Sequence, residues 1–362
     1  MSANRPTQAQ ALLVFPHLRV QNANAISSPL THGFPSMTAF TGLMWALERK
    51  LVQAGISLHL LKVGVVCHAH DEQVVDGYVK TFRLTRNPVD QHGNTAAIVE
   101  EGRIHLDITL VFAVAQASAA LPLAQAADDP QQELAQRIAD VLATLRIAGG
   151  TVLPSRKAPG RRTRPWLALL PEDAEAQATA FKQWRRQWLP GYVLVGRDDL
   201  LATRLDNLRQ TQPDATLLDA WLHAARFNHA PIPVAEGEAA PADGKVRWAD
   251  PLRGKGSGWT VPIPVGYVSL TGKPYAPGEV AHARDTTTPV AFVESVYSLG
   301  EWISPHRLQS VHALLWHADT DSSKGLYRCR SGYQPAQSED ANSNSNTETL
   351  DEWDDDEAYA YT

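Results

Sequence analysis

Cysteine is almost absent: only Cys67 and Cys329 occur in 362 residues, both in apolar stretches, with no CxxC pair. Two buried, reduced thiols are expected, and neither a disulfide framework nor a zinc-thiolate site is. No apolar run approaches the ~20 residues that cross a bilayer, and the start MSANRPTQAQ lacks a basic-then-apolar leader, so a cytoplasmic protein is expected. GxSxG, HExxH and Walker-type loops are missing. The glycines of RGKGSG at 253–258 do not sit between a convincing strand and a helix, which argues against a nucleotide-hydrolase loop. Of 13 histidines, the nearest pair is His68 and His70 beside Asp71, with no third ligand at a recognisable spacing. No catalytic set and no cofactor or metal site is expected.

A basic excess is missing too, since the formal net charge is -6. The deficit is local. Nine of the 39 acidic residues fall after Ser331, where there is no Lys or Arg, which leaves 30 acidic against 33 basic residues elsewhere. A nucleic-acid site would therefore be built from clustered charge and not from the overall field. The tail itself has the composition of a disordered segment.

What is present alternates between strand and helix signals. ALLVFPHLRV (11–20) reads as a strand with a bulge or edge at Pro16, followed by a polar loop, QNANAISSPLTHGFPS. Ser36 caps a helix whose Phe40, Leu43, Met44, Leu47 and Leu51 recur at helical spacing, and Gly55 ends it. A strand at 56–67 follows. Ile104, Leu106, Ile108 and Leu110 then alternate with His105, Asp107 and Thr109, the pattern of a half-buried strand. Asp128 or Asp129 opens a helix with Pro130 in its first turn and a stripe of Leu134, Ile138, Val141, Leu142 and Leu145. The fourth strand is either 151–154 or YVLVG from Tyr192.

This order, β-α-β-β-α-β, is that of the split βαβ (ferredoxin-like, RRM-like) folds, so the expected class is α+β with such a core. About 35 residues at 68–102 exceed a hairpin turn and suggest a projecting β-hairpin, a thumb. The expected organisation is a core with this thumb over 1–200, a helical insertion and linker over 201–245, and a β-rich part over 246–330. The acidic tail occupies 331–362. Within the C-terminal part, HRLQSVHALLWHA reads as one helix behind Ser304-Pro305.

Basic clusters in loops are the candidate chemistry: Arg156, Lys157, Arg161, Arg162 and Arg164; Arg253 and Lys255 among glycines; and Lys80, Arg83 and Arg86 on the thumb, with Phe82 able to stack on a base. Each alone is equally a solvated loop. Together, on an RRM-like core, they point to RNA. Asn22, Asn24, Ser27, Ser28 and Thr31 supply groups suited to phosphate, 2′-OH or base edges, although turns use the same residues.

QNANAISSPLTHGFPSMTAFTGL, FRLTRNPVDQHGNTAAIVEEGRIHLDITL, IAGGTVLP, GWTVPIPVGYVSL, GEWISPHR and KGLYRC resemble, in order over about residues 10–330, the second Csy subunits of the type I-F CRISPR surveillance complex. These belong to the RAMP superfamily of RRM-like proteins. The resemblance implies a non-catalytic subunit that caps the 5′ handle of the CRISPR RNA together with the large Csy subunit. It further implies an adjacent backbone Csy subunit, and target double-stranded DNA met through the complex. Chemistry at the signature positions selects Asn22, Asn24, Ser27, Ser28, Arg86, Asn87, Arg103, Arg253, Lys255 and Arg284 as RNA contacts. Glu100 and Glu101 are expected to pair with Arg103 or with a neighbour's arginines. Trp302, His306 and Trp316 are expected in the core or at an interface. The alternatives are a metal-independent endoribonuclease that processes guide precursors and a pure protein adaptor.

Overall fold

A computed structural model describes residues 6–86, 89, 92–95, 98–116, 128–154, 160, 163–232, 247–250 and 258–335. The main elements are β1 (Ala11–Asn24), α1 (Met37–Gln53), β2 (Leu58–Glu72), β3 (Arg103–Gln116), α2 (Asp128–Ala143), β4 (Gly150–Leu153), β5 (Trp166–Leu169), α3 (Ala174–Trp184), β6 (Tyr192–Gly196), α4 (Asp198–Arg209), α5 (Leu217–Ala225), β7 (Trp259–Ser269), β8 (Val293–Ile303), β9 (Trp316–Asp321) and β10 (Leu326–Ser331). The chain is α+β, as expected, with one large antiparallel sheet and several helices.

Strand neighbours follow the order β4-β1-β3-β2-β6-β8-β7-β10-β9, with the two-residue strand Arg146–Ile147 outside β4 and β5 paired to β1. Both readings of the fourth strand are strands: Gly150–Leu153 lies against β1, and Tyr192–Gly196 lies on the other side, against β2. Trp316 of β9 pairs with Val63 of β2, so the second half of the sheet returns on itself. That closure was not legible in the sequence.

The alternation in β3 sorts the two faces. Ile104, Leu106, Ile108, Leu110, Phe112 and Val114 join the main core beneath α1 and α2. Ser36 caps α1, accepting from the Thr38 amide, and Phe40, Leu43, Met44, Leu47 and Leu51 are buried as their spacing requires. Burying each such side chain contributes about 1.5–3 kcal/mol. On the opposite face, Val111 and Ala113 pack with Leu12, Val14, Phe181, Trp188 and Val195 in a second cluster, roofed by α3 and the turn Arg185–Trp188. Cys67 and Cys329 are both buried free thiols. Burial, with Asp107 nearby, pushes the Cys67 thiol up to about 12.

Pro16 sits where expected, in a register shift between Phe15 and Leu18 of β1, and His17 takes a positive φ of 51°. Three readings need correction. The segment expected as a polar loop instead continues β1 to Asn24 and adds a small hairpin, Ile26–Ser28 with Thr31–His32. Pairing to β3 and internal side-chain hydrogen bonds override its turn composition. The single hairpin expected for the thumb is two short ones in series, Val74–Val75 with Thr81–Phe82 and Leu84–Arg86 with Ile98–Glu100. The helix expected at 306–318 breaks into a turn at Pro305–Arg307, a single helical turn at Val311–Leu314 capped by Ser310, and β9. The pull of sheet pairing on Trp316 accounts for the break. Of the basic cluster, Arg156, Lys157, Arg161 and Arg162 lie outside the described residues, as do the loop 251–257 and, from the acidic tail read above as disordered over 331–362, everything from 336 onward.

Trp316 is 1% exposed and donates its indole N–H to the Leu194 carbonyl at 2.9 Å, tying β9 to β6. Trp316→Ala is expected to cost ~3–5 kcal/mol in urea unfolding, and Trp316→Phe distinctly less. A loss no larger than the ~0.5 kcal/mol of a surface change would contradict the closure described here.

Candidate nucleic-acid interface

On the second face the sheet turns polar where its roof ends. Along β3, Thr109, Asp107, His105 and Arg103 continue the row that begins with Ala113 and Val111, and they meet His17 of β1 and His68 of β2. The His17 and His68 rings stack with centroids 4.1 Å apart. His17 Nδ1 donates to Asp107 Oδ1 at 3.0 Å, and the His17 amide donates to Thr109 Oγ1 at 3.2 Å. His68 pairs its Nδ1 with the Pro190 carbonyl at 2.7 Å and its Nε2 with Thr109 Oγ1 at 2.8 Å. The carbonyl can only accept, so Nδ1 carries the proton and both nitrogens of His68 are engaged. Burial holds the His68 imidazole below its ordinary value.

The row ends in a polar cleft of about 430 Å³ lined by Gln21, Asn22, Gln73, Arg83, Glu101, Arg103, Arg146, Gly149 and Thr151. Four segments build it. A second register shift in β1, between Val20 and Ala23, places Gln21 and Asn22, and Asn22 adopts φ 56° with its amide donating to His105 Nδ1 at 3.1 Å. Pairing of β2 with β3 runs on into the thumb, where the Gln73 amide donates to the Arg103 carbonyl at 2.7 Å. Arg83 then donates to Gln73 Oε1 at 2.8 Å. The turn after α2 supplies Arg146 and Gly149. A Cβ on Gly150 would lie 2.8 Å from the Gln21 carbonyl and the Ala23 amide, so the close approach of this turn to β1 needs glycine there.

Glu101 lies in the cleft but is paired with Arg103, Nη2 to Oε2 at 2.5 Å, in line with the sequence reading. Among the described lining residues Arg83 and Arg146 thus add charge that no carboxylate of the cleft offsets. Three planar guanidiniums, one of them paired with Glu101, together with backbone amides and amide side chains around an open volume, offer the kind of donors that phosphate oxygens accept from.

The predicted contacts divide. Asn22 and Arg103 line the cleft together. Asn24 turns onto its own loop, accepting from the Ile26 amide and donating to the Ile26 carbonyl. Ser27 bridges the Phe34 carbonyl and the Ser36 amide, and Ser28 pairs with Thr31. These three shape the loop that packs at the thumb base. Arg86 ends the thumb strand Leu84–Arg86, and Arg284 is exposed in the connection between β7 and β8. Asn87, Arg253 and Lys255 lie outside the described residues. Arg146 and Gln73 were missed, and the one available signal was the IAGG turn directly after Arg146. His68 and His70 gain no third ligand, and no group of three or more His, Cys, Asp or Glu suited to a metal occurs among the described residues. Nor is any described helix long and apolar enough to cross a membrane.

The profile of the family described as CRISPR-associated protein (Cas_Csy2) matches residues 13–329. The chain belongs to the Csy2 family. A CRISPR-associated protein Csy2 from Pseudomonas aeruginosa (strain UCBPP-PA14) is 43% identical over 329 residues, covering 89% of this chain and 95% of that protein. The matched span takes in the cleft residues named above, and the two matches assign the chain a CRISPR-associated role.

The depressed histidines set a pH dependence. Burial lowers His68 and His317, so the unfolded chain binds more protons than the folded one below the ordinary histidine value of about 6.5. Stability is therefore full above pH ~6.5 and is lost as pH falls below it, towards the depressed folded values. Urea titrations at pH 7.5 and 5.5 are expected to show that loss, and His68→Gln is expected to shrink it. A pH-independent midpoint would rule this out.

Proposed function

We propose that the chain is a non-catalytic guide-RNA-binding subunit of a type I-F CRISPR surveillance complex. In this reading it caps the 5′ handle of the CRISPR RNA together with the large Csy subunit. An adjacent backbone Csy subunit continues along the guide, and target double-stranded DNA is met through the assembly. The observation that carries the reading is the cleft where Arg83, Arg103 and Arg146 converge with Asn22. Its position supports RNA as the ligand. The strand order β4-β1-β3-β2, with α1 and α2 on one face, supports reading this part as an RRM-like core, in which RNA would lie on the face away from the helices. The histidines and Asn22 beside the arginines add ring faces and hydrogen-bonding groups for bases and 2′-hydroxyls.

The alternative, a metal-independent endoribonuclease, would draw on the His17–Asp107 pair as a general base. His68, its stacked neighbour, has no nitrogen free for proton transfer. Incubating the purified chain with precursor RNA under chelation discriminates: intact RNA is expected, and cleavage that disappears in His17→Ala would favour the nuclease.

The handle role is tested by assembling the complex with and without this chain and mapping RNA protected from nuclease. Protection of the 5′ end is expected to vanish on its omission, and survival of that protection would overturn the reading. For the cleft, replacing Arg83, Arg103 and Arg146 together by Ala should weaken RNA binding. It should also lower the slope of log affinity against log salt by about 2, since each phosphate contact on a single strand contributes ~0.7.

A further inference from the structure

A second group of cations, outside the cleft, has no use in the RNA reading. Three segments meet over the roofed end of the sheet: the entry to β5, α3 with the turn Arg185–Trp188, and the turn Pro305–Arg307. Trp166, two residues after Arg164, meets Trp184, one residue before Arg185, with ring centroids 6.0 Å apart. Arg185 lies 5.9 Å from the Phe181 ring centroid and donates from Nη1 to the His306 and Leu308 carbonyls, both at 2.7 Å. It thus holds the residues on either side of Arg307. The chain runs on from this turn to Pro190, whose carbonyl accepts from His68, so the surface borders the polar row on the same sheet face.

The charge of these segments is one-sided. Residues 163–171, 176–197 and 302–318 contain no Asp or Glu, and they bring Arg164, Lys182, Arg185, Arg186 and Arg307 to this surface. Arg164, Lys182, Arg186 and Arg307 are exposed, and no side-chain hydrogen bond or ion pair engages them among the described residues. Cations gathered in this way repel one another, and a polyanion laid across them relieves the repulsion. Which polyanion fits follows from what the surface lacks. Trp166 and Trp184 pack on the second cluster, and Trp188 and Phe181 are 1% and 2% exposed, so none of these rings is left for a base to stack on. A single strand would forgo that stacking. A duplex keeps its bases stacked inside and presents regularly spaced phosphates, which cations carried on a helix and two turns can meet.

We infer that the surface of Arg164, Lys182, Arg186 and Arg307 binds the phosphate backbone of a nucleic-acid duplex, independently of sequence and apart from the cleft. The inference deepens the proposed encounter with target duplex and rests on that reading only for where the duplex comes from. The contact itself does not depend on RNA occupying the cleft. Arg185 is a positioning residue here, since it ties the turn that carries Arg307 to the turn that carries Arg186.

The test compares the full-length chain with two full-length variants, one with Arg164, Lys182, Arg186 and Arg307 all replaced by Ala and one with the three arginines replaced by Lys. A short fluorescently labelled DNA duplex of arbitrary sequence, and the RNA duplex of the same sequence, are titrated against each at about 50 and 200 mM salt. Binding is expected to weaken in the Ala variant and to persist in the Lys variant, because a phosphate contact needs the charge more than the planar fork. Four lost contacts at ~0.9 each lower the slope of log affinity against log salt by about 3.6, so the affinity gap between the unaltered and Ala chains narrows on the order of a hundredfold across that salt range. A preference for one duplex upholds the surface and names the source. Equal affinity and slope in the unaltered and Ala chains overturn the inference, whatever the cleft does. An Ala variant that binds duplex normally yet fails to join the complex marks a subunit contact and overturns it too. If single-stranded RNA ignores Arg83, Arg103 and Arg146 while duplex still needs the four cations, the RNA reading fails and this inference stands.

Discussion

The antiparallel pairing of β3 with both β1 and β2 is the constraint on which the rest depends. A strand has a period of two, so every residue committed to the helix-covered face fixes its neighbours on the other. Ile104 to Val114 satisfy the core beneath α1 and α2, and the same register forces Arg103, His105, Asp107, Thr109, Val111 and Ala113 outward together. The roof of α3 and Trp188 covers only the apolar end of that row. The polar end is left open, and the cleft forms there.

Irregularities in the strands do the local shaping. Two register shifts in β1 bring Pro16 and His17, then Gln21 and Asn22, out of regular pairing with β3, so groups that a plain ladder would distribute evenly gather at one end. Gly150 lets the turn after α2 approach that point and deliver Arg146. The thumb base is anchored by the Gln73–Arg103 backbone bond and by His32 Nδ1 against Glu72 at 2.9 Å, which holds the loop 25–34 beside it. Elsewhere, Arg197 joins Glu301 and Asp199 in an ion-paired network that ties β6 to β8 and the start of α4. That network holds the closed half of the sheet and has no part in the cleft.

Much of this was legible in local pattern. The alternation at 104–110 and the stripes of α1 and α2 identified the layers, because burial on one face leaves a periodic trace. The Ser36 cap and the Pro16 irregularity were readable for the same reason, being local events. Asn24, Ser27 and Ser28 illustrate the limit: the same polar atoms serve a ligand or a turn, and only the fold decides that they close their own loop. Arg146 was overlooked because its neighbourhood is created by a β1 shift more than a hundred residues away. The break of the expected 306–318 helix is likewise a tertiary effect, since the pairing of Trp316 with Val63 and its bond to Leu194 override a helical stripe.

The central claim is that RNA lies along the open end of the sheet and into the cleft. Its most direct test is ultraviolet cross-linking of the assembled complex with its guide RNA, followed by mass spectrometric mapping of nucleotide-bearing peptides. The account predicts that handle nucleotides attach to segments 17–24, 73–83, 101–107 and 146–151. Cross-links confined to other surfaces, with these four segments recovered unmodified, would contradict it.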